Sequence, residues 1–262
     1  MIPKVLKYSI FSTIVAGFCI GMFFLAKASR EERSQLACEG LEVIFCDSLE
    51  FVSESDIREY LKSGYGNFVG QKLDSVKLAE IEELLESKTA ILNSEAWLTD
   101  DGTLHLSISQ RAPVLRFQRQ DSTGFYVDDR GFIFPLHQRF TAAVPVINGV
   151  IPVNAPEGYK GEAGSPDEKR WIEGMIGLNN FISGSRIWKN AISDISVRQN
   201  GDIVLVTTKG PEHFIFGKAV NIGDKFDRME KYYSYILPAR GEEYYKSVNI
   251  KYNRQIICRK DI

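Results

Sequence analysis

Proton transfer or metal binding would need histidine, cysteine or paired carboxylates, and the three histidines of this chain, His105, His137 and His213, stand far apart. None has a second ligand three or four residues on, so the spacing that places two donors on one helix face is missing. No G-x-S-x-G elbow, phosphate-binding glycine loop or dinucleotide fingerprint occurs. Cys258 has no histidine nearby and sits in a run that reads as a strand. The adjacent Asp128 and Asp129 invite a carboxylate-dyad or metal reading. They fall between two apolar runs and are followed by Arg130-Gly131, the composition of a hairpin turn. Glu80, Glu82, Glu83 and Glu86 share a helical segment with an apolar stripe and read as its solvated face. The chain is therefore expected to have no catalytic residues, no metal and no cofactor, and to act by binding.

Near the end of the chain a different chemistry is available. In residues 247–252, Val248, Ile250 and Tyr252 alternate with Asn249 and Lys251, the two-residue period of a strand. A strand at the border of a sheet carries unpaired backbone donors and acceptors, which are either protected or used. Strand addition uses them: main-chain hydrogen bonds give affinity and alternate side chains give selectivity. Lys251 and Arg254 would favour an acidic partner, whereas a routine edge strand would use Lys251 for defence. Gln255 and Ile256 continue toward a second short run, with Asn253-Arg254 between the two.

These residues need a scaffold, and the pattern upstream supplies one. Residues 41–46 read as a largely buried strand. Ser53 can cap a helix, with Asp56 three residues on as a variant of the capping box, and Ile57, Tyr60 and Leu61 share one face. Val76, Leu78, Ile81, Leu84 and Leu85 make the stripe of a second helix, opened at Leu73-Asp74. A hairpin follows, turning at Asp101-Gly102 into the alternation Leu104, Leu106, Ile108. Strand, helix, helix, strand, strand folds with its helices on one face of a small sheet.

Beyond residue 112 strand signals dominate: 113–117, 124–127, 132–134 and 144–147, then a loop over 152–166. A helix is expected from Asp167 to about Phe181. A three-strand antiparallel meander follows, then a tyrosine-rich amphipathic helix over 222–236 ended by Pro238. The expected fold class is α+β: a module of βααββ order over 38–112, then a mainly antiparallel β domain with two helices over 113–262.

Residues 8–26 carry no charge, close to the length a helix needs to cross the hydrocarbon core. The expected organisation is a cytoplasmic tail over 1–7, a transmembrane helix over 8–27 and a polar linker over 28–37. The competing reading is a cleaved secretory signal, with Ala26-Lys27-Ala28 as a small-residue site. In both, the bulk of the chain is exported. Gly17 and Gly21 form a small-xxx-small spacing suited to packing on another membrane helix, although glycine is common in such spans anyway. Cys38, Cys46 and Cys258 are left for the exported part; Cys38 and Cys46 either bridge or Cys46 is a buried strand residue. A formal net charge of -2 without a basic block excludes a nucleic-acid footprint.

In this order and spacing, four stretches resemble the FtsQ/DivIB family of bacterial cell-division proteins. Phe51-Val52-Ser53 with Asp56 to Leu61 is similar to the opening of that family's POTRA domain. Ser109-Gln110-Arg111-Ala112-Pro113-Val114 resembles its link into the β domain, Tyr126 to Phe132 its next hairpin, and Val248 to Tyr252 its terminal strand. The resemblance implies a single-pass inner-membrane protein with a cytoplasmic N-terminus and a periplasmic body at the division septum. It implies a non-enzymatic divisome scaffold that links septal wall-synthesis subunits. It implies partners among FtsB-like and FtsL-like bitopic coiled-coil proteins and other divisome subunits, received by strand addition at Val248, Asn249, Ile250, Lys251, Tyr252, Gln255 and Ile256. The rival readings are a POTRA-bearing accessory of polypeptide transport or outer-membrane assembly, and a membrane-anchored periplasmic enzyme.

Overall fold

The structure is a computed structural model that describes residues 15–23, 36–137, 139–241 and 244–260. Residues 15–23 form a helix. Among the described residues no helix is long and apolar enough to cross a membrane, and the rest of the expected span lies outside them. At Gly17 and Gly21 no neighbouring group lies within 4 Å of where a Cβ would sit. The remaining chain forms two compact units, divided between Gln110 and Arg111.

The first unit has the expected βααββ order. Strand β1 (Gly40–Phe45) leads to helix α1 (Glu54–Gly64), a 3-10 turn (Leu73–Ser75), helix α2 (Leu78–Glu86), and the hairpin β2 (Ile91–Leu98) and β3 (Thr103–Gln110). The sheet order is β1-β3-β2, with β1 parallel and β2 antiparallel to β3. Ser53 accepts from the Asp56 amide and Asp56 returns a bond to the Ser53 amide, so the capping box closes in full. The second helix starts later than its stripe suggests, because Leu73-Asp74-Ser75 makes a separate 3-10 turn. Leu73, Val76, Ile81 and Leu85 are buried with Ile57, Leu61, Leu104, Leu106 and Ile108. Gly102, with φ +85°, supplies the left-handed backbone of the hairpin turn; a Cβ there would also lie 2.6 Å from the Ala37 carbonyl oxygen. Gln110 closes the module: its amide NH and side-chain amide donate to Asp47, and its Oε1 accepts from the Val52 amide at 2.9 Å.

The second unit is built on one nine-stranded sheet. In chain order its elements are β4 (Pro113–Gln118), β5 (Gly124–Asp128), β6 (Ile133–Pro135), β7 (Val146–Gly149), helix α3 (Pro166–Gly184), β8 (Ile192–Val197), β9 (Ile203–Thr207) and β10 (Gly210–Gly217). Helix α4 (Ile222–Lys231), a π-helical turn (Tyr232–Ile236), helix α5 (Leu237–Arg240), β11 (Ser247–Asn249) and β12 (Ile257–Arg259) complete it. The sheet order is β12-β11-β10-β9-β8-β7-β4-β5-β6. The sheet is mixed, since β7 lies parallel to both β4 and β8, and β11 lies parallel to β10. The mainly antiparallel expectation is corrected at these three junctions, two of which follow from a long excursion (the 152–166 loop with α3, and α4 with its extensions) that returns the chain in the same direction.

One face of the sheet is covered by α3 and α4, whose Ile172, Met175, Leu178, Phe226 and Met229 meet inward residues of the strands. Gly174 allows a close approach, with the Ala219 Cβ 3.2 Å from the position of an added Cβ. Pro238 does not end the last helix: the π-helical turn precedes it and helicity continues to Arg240, with Gly241 at φ +92° as the stop. A proline ring crowds the carbonyl four residues back in an α-helical ladder, and the wider π turn is where that ladder is relaxed.

Asp128 and Asp129 occupy the hairpin turn, as their sequence context implies. The Asp128 carboxylate accepts from the Arg130 and Phe132 amides at 3.0 and 2.9 Å and pairs with Arg111 at 2.7 Å, while Asp129 is exposed. Among the described residues no group of three or more His, Cys, Asp and Glu is placed to hold a metal ion. The described cysteines are all free, Cys38 buried and Cys46 exposed, so no Cys38–Cys46 bridge exists. The Cys46 Sγ lies 3.1 Å from the Ser107 hydroxyl.

Candidate docking edge

The C-terminal strand is shorter than its pattern suggests and is not the border of the sheet. Ser247–Asn249 pairs with β10 on one side and with β12 on the other. The reversal is made at Asn253-Arg254, where Arg254 takes a left-handed backbone, φ +59°. This turn lays Ile257 opposite Asn249 and Arg259 opposite Ser247. The expectation that residues 248–252 offer free backbone groups is therefore corrected. The border strand is β12, one step further along the chain, because the polypeptide is long enough past the turn to pair with its own β11.

The nine-stranded sheet has two borders. At β6 the outer side is bonded to a passing loop, with Ile133 and Gly161 exchanging amide-to-carbonyl bonds of 2.8 and 3.0 Å. Pro135, which has no amide hydrogen, closes that strand. At β12 no further strand lies alongside among the described residues. Ile257 and Arg259 are exposed on it.

The residues picked out by the alternation divide into two groups. Val248 and Ile250 are fully buried, 0% exposed, and belong to the core, so their side chains cannot meet a partner. Tyr252 is 49% exposed, Gln255 is exposed, and Ile256 is half-buried against the core. Asn249 is half-buried, and its Oδ1 accepts from the Lys251 amide at 3.1 Å. The Lys251 ammonium is held by Asp202 at 2.9 Å, which raises its pKa, and also lies 5.3 Å from the Tyr252 ring centroid. Its charge is thus largely spent within the chain, leaving Arg254, Arg259 and Lys260 as exposed cations of this border.

Sequence reasoning missed the basic groups beneath the turn. Arg228, on α4, is 8% exposed, and its Nε donates to the Ile250 carbonyl at 3.1 Å. Its Nη2 is buried without a hydrogen-bond partner. Lys225, one turn earlier, is also buried and donates to the Lys218 carbonyl at 2.6 Å. Burial, reinforced by the Arg228 charge, pulls the Lys225 pKa down to about 8. The available signal was that Lys225 and Arg228 flank Phe226 and Met229, which puts two cations beside the apolar stripe of an amphipathic helix.

The first unit also carries a side-chain row that the sequence search did not find. Glu42 meets His105 Nδ1 at 3.0 Å, and Thr99 Oγ1 lies 3.1 Å from His105 Nε2. The Trp97 ring stacks on His105 at 5.2 Å. A carboxylate, imidazole and hydroxyl in this order match a nucleophile relay in composition only. The Thr99 hydroxyl donates to Asp101 and stands near the Thr103 carbonyl, so its single proton is already committed to the hairpin turn.

Residues 112–259, more than half of the chain, match the family model described as FtsQ/DivIB, C-terminal related. Residues 36–109 match the POTRA-like domain, in agreement with the βααββ unit. No curated protein matches the chain. With a POTRA-like module followed by a unit that carries this match, the chain belongs to the FtsQ/DivIB family.

Proposed function

We propose that this protein is a bitopic scaffold of the bacterial divisome, anchored in the inner membrane by residues 8–27 with its body in the periplasm. It recruits septal wall-synthesis subunits by binding and does not itself turn over a substrate. Its partners are FtsB-like and FtsL-like coiled-coil proteins. They are received by strand addition along β12, with Tyr252, Gln255 and Ile256 beside the added segment. The observation that carries this reading is the asymmetry of the sheet borders: β6 is closed by Gly161 and Pro135, while β12 lies at the other border with exposed Ile257 and Arg259. An open border strand supports addition because alternate residues of the incoming segment gain main-chain bonds whatever their side chains.

Tyr252 is the aromatic best placed to anchor such a segment. Tyr252→Ala is expected to weaken capture of the coiled-coil partner by about 2 kcal/mol, roughly thirty-fold in Kd, with the fold intact since the ring is half exposed. The measurement is co-purification from membranes followed by titration of the purified partner. Unchanged affinity would remove Tyr252 from the interface.

A further inference from the structure

The β9–β10 hairpin and the start of α5 line a cavity of about 440 Å³, a size that takes a small ligand. Its lining carries a charge where the strand pattern calls for an apolar residue. Glu212 follows the same inward face as Phe214 and Phe216 and is 1% exposed. Its Oε1 is buried without a hydrogen-bond partner. The pairing register shifts between Gly210 and His213, and a bulge of this kind re-aims a side chain. Gly210 leaves the carboxylate its room: a Cβ there would lie 2.3 Å from Oε2 and 3.0 Å from Oε1. Burial raises the pKa of Tyr232 and of Tyr233, and the Glu212 charge adds to the rise at both, so the two phenols stay neutral and supply no counter-charge. An unpaired buried carboxylate is costly, so the site calls for a cationic donor. Lys209 shares the lining but is exposed, and its ammonium stands over the Trp188 and Tyr233 rings, 5.2 and 5.1 Å from their centroids.

We infer that this cavity binds a small zwitterionic amine, a compound of the amino-acid class, whose ammonium pairs with Glu212 and whose carboxylate pairs with Lys209. An ammonium has three donors and no acceptor, which suits an orphan carboxylate oxygen and the Thr207 hydroxyl oxygen in the same lining. The ligand's carboxylate gives Lys209 a stronger partner than the ring faces do, since charge-assisted bonds exceed the attraction of an aromatic face. Both ends of the ligand are thus needed, one at a buried anion and one at an exposed cation. The site does not depend on strand addition at β12. Because the ligand binds the folded C-terminal unit, its occupancy stabilises that unit by mass action.

The test is equilibrium dialysis of the full-length protein in detergent micelles, with thermal unfolding alongside. The probes are glycine, β-alanine and 4-aminobutyrate, which space the two charges differently, then propylamine with the ammonium alone and propionate with the carboxylate alone. At least one of the three amino acids is expected to bind saturably and to raise the unfolding midpoint, with propylamine and propionate weaker by about tenfold or more. Glu212→Gln keeps the shape and is expected to weaken the best amino acid by about tenfold or more. Gly210→Ala drives a Cβ into the carboxylate and should do the same. Lys209→Gln, at an exposed position, leaves the fold intact; it is expected to bring the amino acid down to the affinity of propylamine and to leave propylamine unchanged. Absence of saturable binding by all three amino acids overturns the proposal. So does a single-charge probe that binds as tightly as the best of them, or an unchanged preference in either Glu212→Gln or Lys209→Gln.

Discussion

Trp188→Ala is expected to lower the stability of the C-terminal unit by about 3–5 kcal/mol, roughly a fifth or more of what a domain commonly has. Trp188 is 1% exposed and follows the end of α3, where the Ser185 hydroxyl accepts from its amide at 3.2 Å. Its ring packs on Phe226 at 5.1 Å and on Tyr233 at 6.4 Å, and the Lys209 ammonium sits 5.2 Å from it. The indole thus joins α4, the π-helical turn and the β9–β10 hairpin. Alanine leaves a cavity that three elements cannot collapse into together. Chemical denaturation followed by circular dichroism measures the loss. Trp188→Phe should recover much of it. A loss below about 1 kcal/mol for the alanine variant would mean that the site repacks and the join is not rigid.

Asp128→Ala is expected to cost a similar amount, about 3–5 kcal/mol, for an electrostatic reason. The side chain of Asp128 is 5% exposed and that of Arg111 13%, with 2.7 Å between Oδ2 and Nη1. Removing the carboxylate strands a guanidinium whose Nε is already without a partner, although the Phe132 ring 3.9 Å away offers it partial compensation. Two turn amides, those of Arg130 and Phe132, lose their acceptor as well. Asp128→Asn keeps an amide oxygen for the turn and should fall between wild type and Asp128→Ala. Asp129→Ala, at an exposed position next door, should change stability by less than about 0.5 kcal/mol. Equal effects at the two aspartates would contradict the turn reading and reopen a shared role.

Much of this architecture is legible in the sequence, because local signals and burial agree there. The capping pair Ser53 and Asp56, the glycine turn at Gly102, and the alternation of Leu104, Leu106 and Ile108 each specify their element without help from distant residues. The parallel junctions at β7 and β11 are not legible, since direction is decided by where a crossover returns the chain. Trp188 has no periodicity around it, and only the fold reveals that three elements meet on it.

The last part of the sheet is legible by region, and its pairing is not. Alternation over Val248, Ile250 and Tyr252 locates the last part of the sheet, but alternation cannot distinguish a strand paired on one side from a strand paired on both. Asn253-Arg254 contains no glycine, so its left-handed turn carries no strong sequence mark. Asp202 and Arg228 lie 49 and 23 positions before Lys251, and only the fold brings the first to its ammonium and the second to the neighbouring Ile250 carbonyl.

The most direct test of strand addition at the C-terminal border is photocrosslinking in dividing cells. Photoreactive residues would replace Ile257 and Arg259 on β12 and, as the control border, Pro135 on β6. The account predicts adducts with a bitopic coiled-coil division protein from positions 257 and 259 and none from 135. Adducts at 135 alone, or none at either β12 position, would contradict it.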